Sequence, residues 1–277
     1  MEKNANKKHM IFKDDLVSKL SNAKNEQFVE VLDYIQYERK YVTKEEMKVI
    51  CERLRDGSMF EGERIASFLE EYEGSYRCVK PLIEMLYYED VYTRSSVCKA
   101  LGNIGAKRSI PALLEMLNDR DDFVRSDALE ALRFSPDTFT IDSLKCYLYD
   151  KSDFMRCASI VVLWNKFYKN SNSKEEILDL VKERLKIERS GLVRNDIYEM
   201  IYFIENDKSA LMKLVTMTKR KHPGVRMRVY STLRSLINGD NYKIIEDAFK
   251  KALEVETINH YKDVLKKYLK EIKKLNY

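Results

Sequence analysis

The sequence predicts an all-α fold, a right-handed α-solenoid of about seven helix pairs preceded by an N-terminal helical cap. Three observations carry that prediction. Six arginines, Arg64, Arg94, Arg125, Arg156, Arg194 and Arg226, recur at spacings of 30, 31, 31, 38 and 32 residues. Most of them open a run with apolar or small residues three, four, six and seven places later, as in Asp-Phe-Val-Arg-Ser-Asp-Ala-Leu-Glu-Ala-Leu from Asp122. A period near 30 is too short for a domain and too long for one helix, so it marks a stacked array. Glycine and proline are scarce, at 8 and 4, which leaves long stretches free to be helical. Charged residues make up 34% and hydrophobic ones 44%, a mixture that suits amphipathic helices with solvated outer faces.

In chain order, residues 1–10 are expected to be disordered or frayed, and 11–42 to form the helical cap. Phe28, Val31, Leu32 and Ile35 make the cap's second helix amphipathic. The repeat array follows over 43–255, and 256–277 form a C-terminal capping helix. Each unit reads as a helix A, a short turn and a helix B that starts near the repeating arginine. Helix pairs are predicted at roughly 43–73, 75–105, 108–135, 138–169, 173–205, 208–238 and 240–275. Thr43 with Glu46 three residues on is a capping box that opens the first A helix. Gly74, Gly102, Gly105 and Ser135-Pro136 are read as ends of B helices; Ser190-Gly191, Pro223-Gly224 and Gly239 mark later junctions. The last unit lacks the arginine but keeps Tyr261, Val264 and Leu265 at the buried spacing, and its lysine-rich end supplies the polar terminus an array needs.

Chemistry is sparse along this chain. The five cysteines, at 51, 78, 98, 146 and 157, form no Cys-x-x-Cys pair, so neither a zinc site nor a disulfide framework is expected. His9, His222 and His260 lie far apart, and Gly-rich phosphate loops, Gly-x-Ser-x-Gly and His-Glu-x-x-His are absent. No catalytic residues, cofactor or metal are assigned, and the chain is expected to be non-catalytic. The N-terminal stretch lacks an apolar core of the signal-peptide kind, and no apolar run reaches about 18 residues, so a cytoplasmic protein without membrane insertion is expected. The formal charge of +5 is unevenly spread. Residues 61–90 hold eight acids and three bases, whereas 207–236 hold one acid and eight bases.

The pattern Asp-x-x-Val-Arg-x-x-Ala-x-x-Ala-Leu-Gly, followed by Ile110-Pro111-Ala112-Leu113-Leu114, resembles HEAT-like repeats of the short, bilin-lyase type. The resemblance covers roughly residues 60–255 and is strongest over 91–134. Asp90, Asp121 and Asp153 stand three or four residues before their arginines, and the resemblance implies that these Asp and Arg residues tie helix B to neighbouring turns. Ser190 and His222 replace the Asp in later units. What the resemblance implies is a scaffold that binding proteins, adaptors and some enzymes use; it transfers no function by itself.

A binding surface is therefore expected on the B helices, which commonly line the concave side of such arrays. Counted from each arginine, positions +3, +4, +6 and +7 are expected to be buried and +1, +2, +5 and +8 to face solvent. In the unit of Arg156 this leaves Ala158, Val161 and Trp164, the chain's one tryptophan, as an apolar patch. Asp127 and Glu130 flank it on one side, and Asp196, Glu199 and Tyr202 on the other. Trp164, Val161, Tyr202, Asp127, Glu130, Asp196 and Glu199 are accordingly the candidate partner-binding residues, with the aromatics as anchors and the acids selecting a basic protein segment. A second feature is the basic run from Lys219 to Arg228. Lys219, Arg220, Lys221, Arg228 and Arg234 are candidate anion-binding residues, and they carry the alternative reading, a nucleic-acid-binding protein akin to DNA-repair glycosylases. A bilin-lyase activity rests on the resemblance alone.

Overall fold

The computed structural model describes residues 16–24, 26–39, 41–56, 61, 64–65, 68–69, 75–135, 138–165 and 173–274. The expected fraying of residues 1–10 and the turn signals at Gly74 and Pro136 lie outside them. Among the described residues all regular structure is helical. The chain divides into two compact units, Met1–Thr140 and Ile141–Tyr277.

In the first unit the helices are α1 (Leu16–Asn22), α2 (Glu26–Asp33), α3 (Lys44–Asp56), α4 (Val79–Met85), α5 (Val91–Ile104), α6 (Ile110–Met116) and α7 (Asp122–Ala131). A π-helical turn, Tyr34–Arg39, extends α2. Phe28, Val31, Leu32 and Ile35 are buried, as their spacing predicts. The capping box is reciprocal: the Thr43 N–H donates to Glu46 Oε2 at 2.8 Å, and the Glu46 N–H donates to Thr43 Oγ1 at 3.2 Å. Two of the four orphan donors of α3 are satisfied this way. Asp90 and Asp121 act as N-caps of α5 and α7, accepting from the backbone N–H of Thr93 and Phe123 at 2.6 and 2.9 Å. Gly105 ends α5 in the left-handed region, at φ 65°, where a Cβ is penalised. Gly102 is an interior residue of α5 and not, as the sequence suggested, a helix end. Its role is close approach: a Cβ there would lie 2.6 Å from the Cα of Ala131 in α7.

In the second unit the helices are α8 (Ile141–Leu148), α9 (Asp153–Leu163), α10 (Lys174–Ile187), α11 (Gly191–Glu205), α12 (Lys208–Met217), α13 (Pro223–Ser235), α14 (Tyr242–Val255) and α15 (Asn259–Lys274). They alternate as A and B helices, within a few residues of the predicted pairs at 173–205, 208–238 and 240–275, with Asn206 at φ 53° ending α11; the predicted end of the 138–169 pair lies outside the described residues. The apolar rows +3, +4, +6 and +7 are buried throughout. In α9 they are Ser159, Ile160, Val162 and Leu163; in α11, Ile197, Tyr198, Met200 and Ile201. Each fully buried aliphatic side chain in these rows contributes roughly 1.5–3 kcal/mol of transfer free energy.

The repeating arginines close the A-to-B turns. Arg156 Nη1 donates to the carbonyls of Asp150 and Lys151, six and five residues back, at 2.9 and 3.0 Å. Arg94 does the same with Tyr88 and Glu89, and Arg226 with Arg220 and Lys221. Carbonyls left open at the end of an A helix and in its turn are thereby satisfied. The other edge of the guanidinium reaches a carboxylate in the next turn: Arg94 to Asp119, Arg156 to Glu188, Arg226 to Glu256, each through two bonds of 2.7–3.1 Å. The acceptor is shared. The Glu188 carbonyl also takes a bond from Arg194, and the Asp119 carbonyl one from Arg125. Consecutive turns are thus tied through one acidic residue, which extends the implied structural role of the arginines to partners the resemblance did not name.

Candidate functional site

In the second unit the B helices α9, α11 and α13 pack side by side as well as against their A helices. A helix flanked on both sides has three buried faces, so fewer positions reach solvent than the count from each arginine suggested. The +2 row shows the consequence. Ala158 and Asp196 are buried, which removes Ala158 from the proposed exposed patch. Tyr202 is corrected likewise: it is buried, and its hydroxyl accepts from Asn241 Nδ2 at 2.9 Å, so it is no surface anchor. The residue that faces outward is its neighbour, Phe203, 54% exposed.

Trp164 caps the C-terminal end of α9 and is partly exposed, as is Val161 one turn back. Its ring packs at a tilt against Phe203 of α11, with centroids 5.0 Å apart and planes inclined by 58°. The centroid separation is within the range over which aromatic pairs attract. Phe203 was missed because the arginine count stops at +8. A helical signal existed, since Phe203 follows Glu199 by four residues and so shares its face.

The flanking acids are occupied within the fold. Asp196 receives Nε and Nη2 of Arg228, both at 3.1 Å, and the side-chain amide of Asn195. Glu199 accepts the hydroxyls of Thr232 and Ser235 at 3.3 Å. Burial and then the nearby Asp196 carboxylate hold Glu199 above the usual carboxylate range, against the pull of Arg228. Burial and Asp196 also push the Cys157 thiol up, so it behaves as an inert small apolar group. Asp127 and Glu130 belong to the first unit. There Asp127 is met by Ser95 and by Lys99 at 3.4 Å, and burial raises it despite both. Glu130 lies 3.8 Å from Arg133.

The basic candidates divide in the same way. Lys219, Arg220 and Lys221 stand exposed in the turn before α13. Arg228 is held by Asp196, and Arg234 by Glu271 at 2.9 Å, with its guanidinium 5.5 Å from the Tyr268 ring centre. Among the described residues no three His, Cys, Asp or Glu gather as metal ligands would, and no helix is long and apolar enough to cross a membrane.

A family model described as HEAT repeats matches residues 63–133. No curated protein matches the chain. Among solved structures the chain is similar to human deoxyhypusine hydroxylase in complex with glycerol, at 16% identity and a TM-score of 0.42, covering 98% of this chain and 97% of that one. HEAT repeats are thus matched over 63–133, and arginine-tied helix pairs recur in both units.

Proposed function

We propose that this chain is a non-catalytic protein-binding module whose second unit anchors an apolar segment of a protein partner over Trp164, Phe203 and Val161. The observation that carries the reading is the tilted Trp164–Phe203 pair, 5.0 Å between centroids, on a surface where Phe203 keeps 54% of its area in water. Two rigid aromatic rings held in contact offer a partner large apolar area at little entropic cost. The acids expected to select a basic segment are engaged by Arg228, Asn195, Thr232 and Ser235, so recognition rests on apolar contact first. Charge enters at the rim, where Glu199 is partly exposed.

The test is affinity capture from lysate of the native host, with and without nuclease treatment, comparing the wild-type chain with Trp164→Ala/Phe203→Ala. Both proteins should melt within a few degrees of each other, because neither ring is core. The reading expects bound proteins to be retained by the wild type and lost from the double variant. Equal retention by both would place the binding surface elsewhere, and retention that disappears with nuclease treatment would favour nucleic acid.

A further inference from the structure

The sulfurs of Cys51 and Cys78 lie 2.7 Å apart although the residues are 27 positions apart in sequence. Cys51 is on α3, and Cys78 is the last residue of the short 3-10 turn that leads into α4. Two sulfurs without a bond between them do not sit that close in a relaxed packing, and a disulfide needs an approach to about 2.05 Å. The other thiols are placed differently: Cys98 is buried, Cys157 lies beside Asp196, and Cys146 is exposed. The pair also lines a cavity of about 510 Å³ with Met47, Met85, Lys44 and Tyr88. A small oxidant therefore reaches two thiols already side by side.

We infer that Cys51 and Cys78 form a reversible disulfide that staples α3 to the turn before α4, with a peroxide as oxidant. Cys51 reacts first, being 6% exposed against 1% for Cys78. Its Sγ attacks one peroxide oxygen; the O–O bond breaks, and the departing hydroxide takes the thiol proton as water. Cys78 Sγ then attacks the sulfenic sulfur and displaces its hydroxyl, which leaves with the Cys78 proton as a second water. Two thiols and one hydrogen peroxide give one disulfide and two waters, and a thiol reductant reverses the bond. Cys51 Sγ donates to Cys78 Sγ, and that bond, then burial, favour the neutral Cys51 thiol, so oxidation is slow, as alkylation is, and the closure depends on the placement of the pair rather than on thiolate character. A reducing compartment keeps it open.

The experiment is a hydrogen peroxide titration of the folded full chain, followed by blocking of free thiols and tryptic mapping without reductant. The proposal expects a cross-link between peptides 49–53 and 78–94, two hydrogens lighter than the pair, removed by dithiothreitol. Oxidation should raise the melting temperature of the wild type by several degrees and leave Cys78→Ser unmoved. Should Cys78→Ser fail to fold, Cys51→Ser and the mapped link in the wild type serve alone. The idea is overturned if Cys146 is oxidised while 49–53 and 78–94 remain unlinked. It is equally overturned if the link forms as fast in urea-unfolded protein, since the fold would then contribute nothing.

Discussion

The arginine ties are where single side chains decide most. Arg156 meets Glu188 through two bonds, at 2.8 and 3.1 Å, and the Glu188 side chain is 1% exposed. Arg125 makes one bond, to the Asp119 carbonyl. Arg156→Ala should therefore cost about 2–3 kcal/mol, because it removes two charge-assisted bonds from a buried carboxylate that keeps Arg184 and the Ser190 N–H. Arg125→Ala should cost about 1 kcal/mol, one ordinary hydrogen bond. Urea unfolding of the two variants checks the order, and equal costs would contradict the shared-acceptor reading. The same pairs set a pH dependence. Burial alone would raise Glu188, but Arg156, the Ser190 N–H and Arg184 outweigh it and bring it to about 2. Arg226 first, against burial, brings Glu256 to about 2 as well. A carboxylate lower in the folded state than its ordinary 4.5 adds stability above that value and loses it as pH falls through the folded one. Stability should thus fall between about pH 5 and pH 2, by on the order of 3 kcal/mol per group. Glu188→Gln should be less stable at neutral pH and flatten that fall, as an acid titration of both proteins would show. The arginines were legible in the sequence because they repeat. Their carboxylates were not, since Asp119, Glu188 and Glu256 follow their arginines by 25, 32 and 30 residues, no fixed register.

At the scale of elements, the helices and their buried rows could be read from period alone, and the Thr43–Glu46 cap from two letters. What period does not encode is which face of a B helix its neighbouring B helices cover. Ala158, Asp196 and Tyr202 were misplaced for that reason, and Phe203 overlooked. Gly102 shows the same gap. In an open helix an alanine there would gain about 1 kcal/mol in propensity. In α5 its Cβ would lie 2.6 Å from the Ala131 Cα and 2.7 Å from the Ala131 Cβ, so α7 must move. Overpacking of that kind costs about 1–3 kcal/mol, and Gly102→Ala is expected to destabilise by a net 1 kcal/mol or so. A variant more stable than wild type in the same urea assay would show that α5 and α7 pack less closely.

For the whole molecule, the uneven charge seen in the sequence is partly neutralised by folding. Arg228 and Arg234 are engaged by Asp196 and Glu271, which leaves Lys219, Arg220 and Lys221 as the exposed basic turn. Heparin affinity should therefore fall with salt at a slope no steeper than about −3 on logarithmic axes. Lys219→Glu/Lys221→Glu should abolish it with the helical signal unchanged. A slope near −6 or beyond would call for a wider polyanion surface than this turn offers. The protein-binding account centres instead on Trp164, and the chain's one tryptophan makes it directly observable. The decisive measurement is acrylamide quenching of its fluorescence, first in the free protein and then in the purified complex with a captured partner. The account predicts appreciable quenching in the free chain and a fall of severalfold on binding, as the partner covers the Trp164–Phe203 pair. Emission that is already blue-shifted and unquenchable in the free chain, or quenching that the partner leaves unchanged, would contradict it.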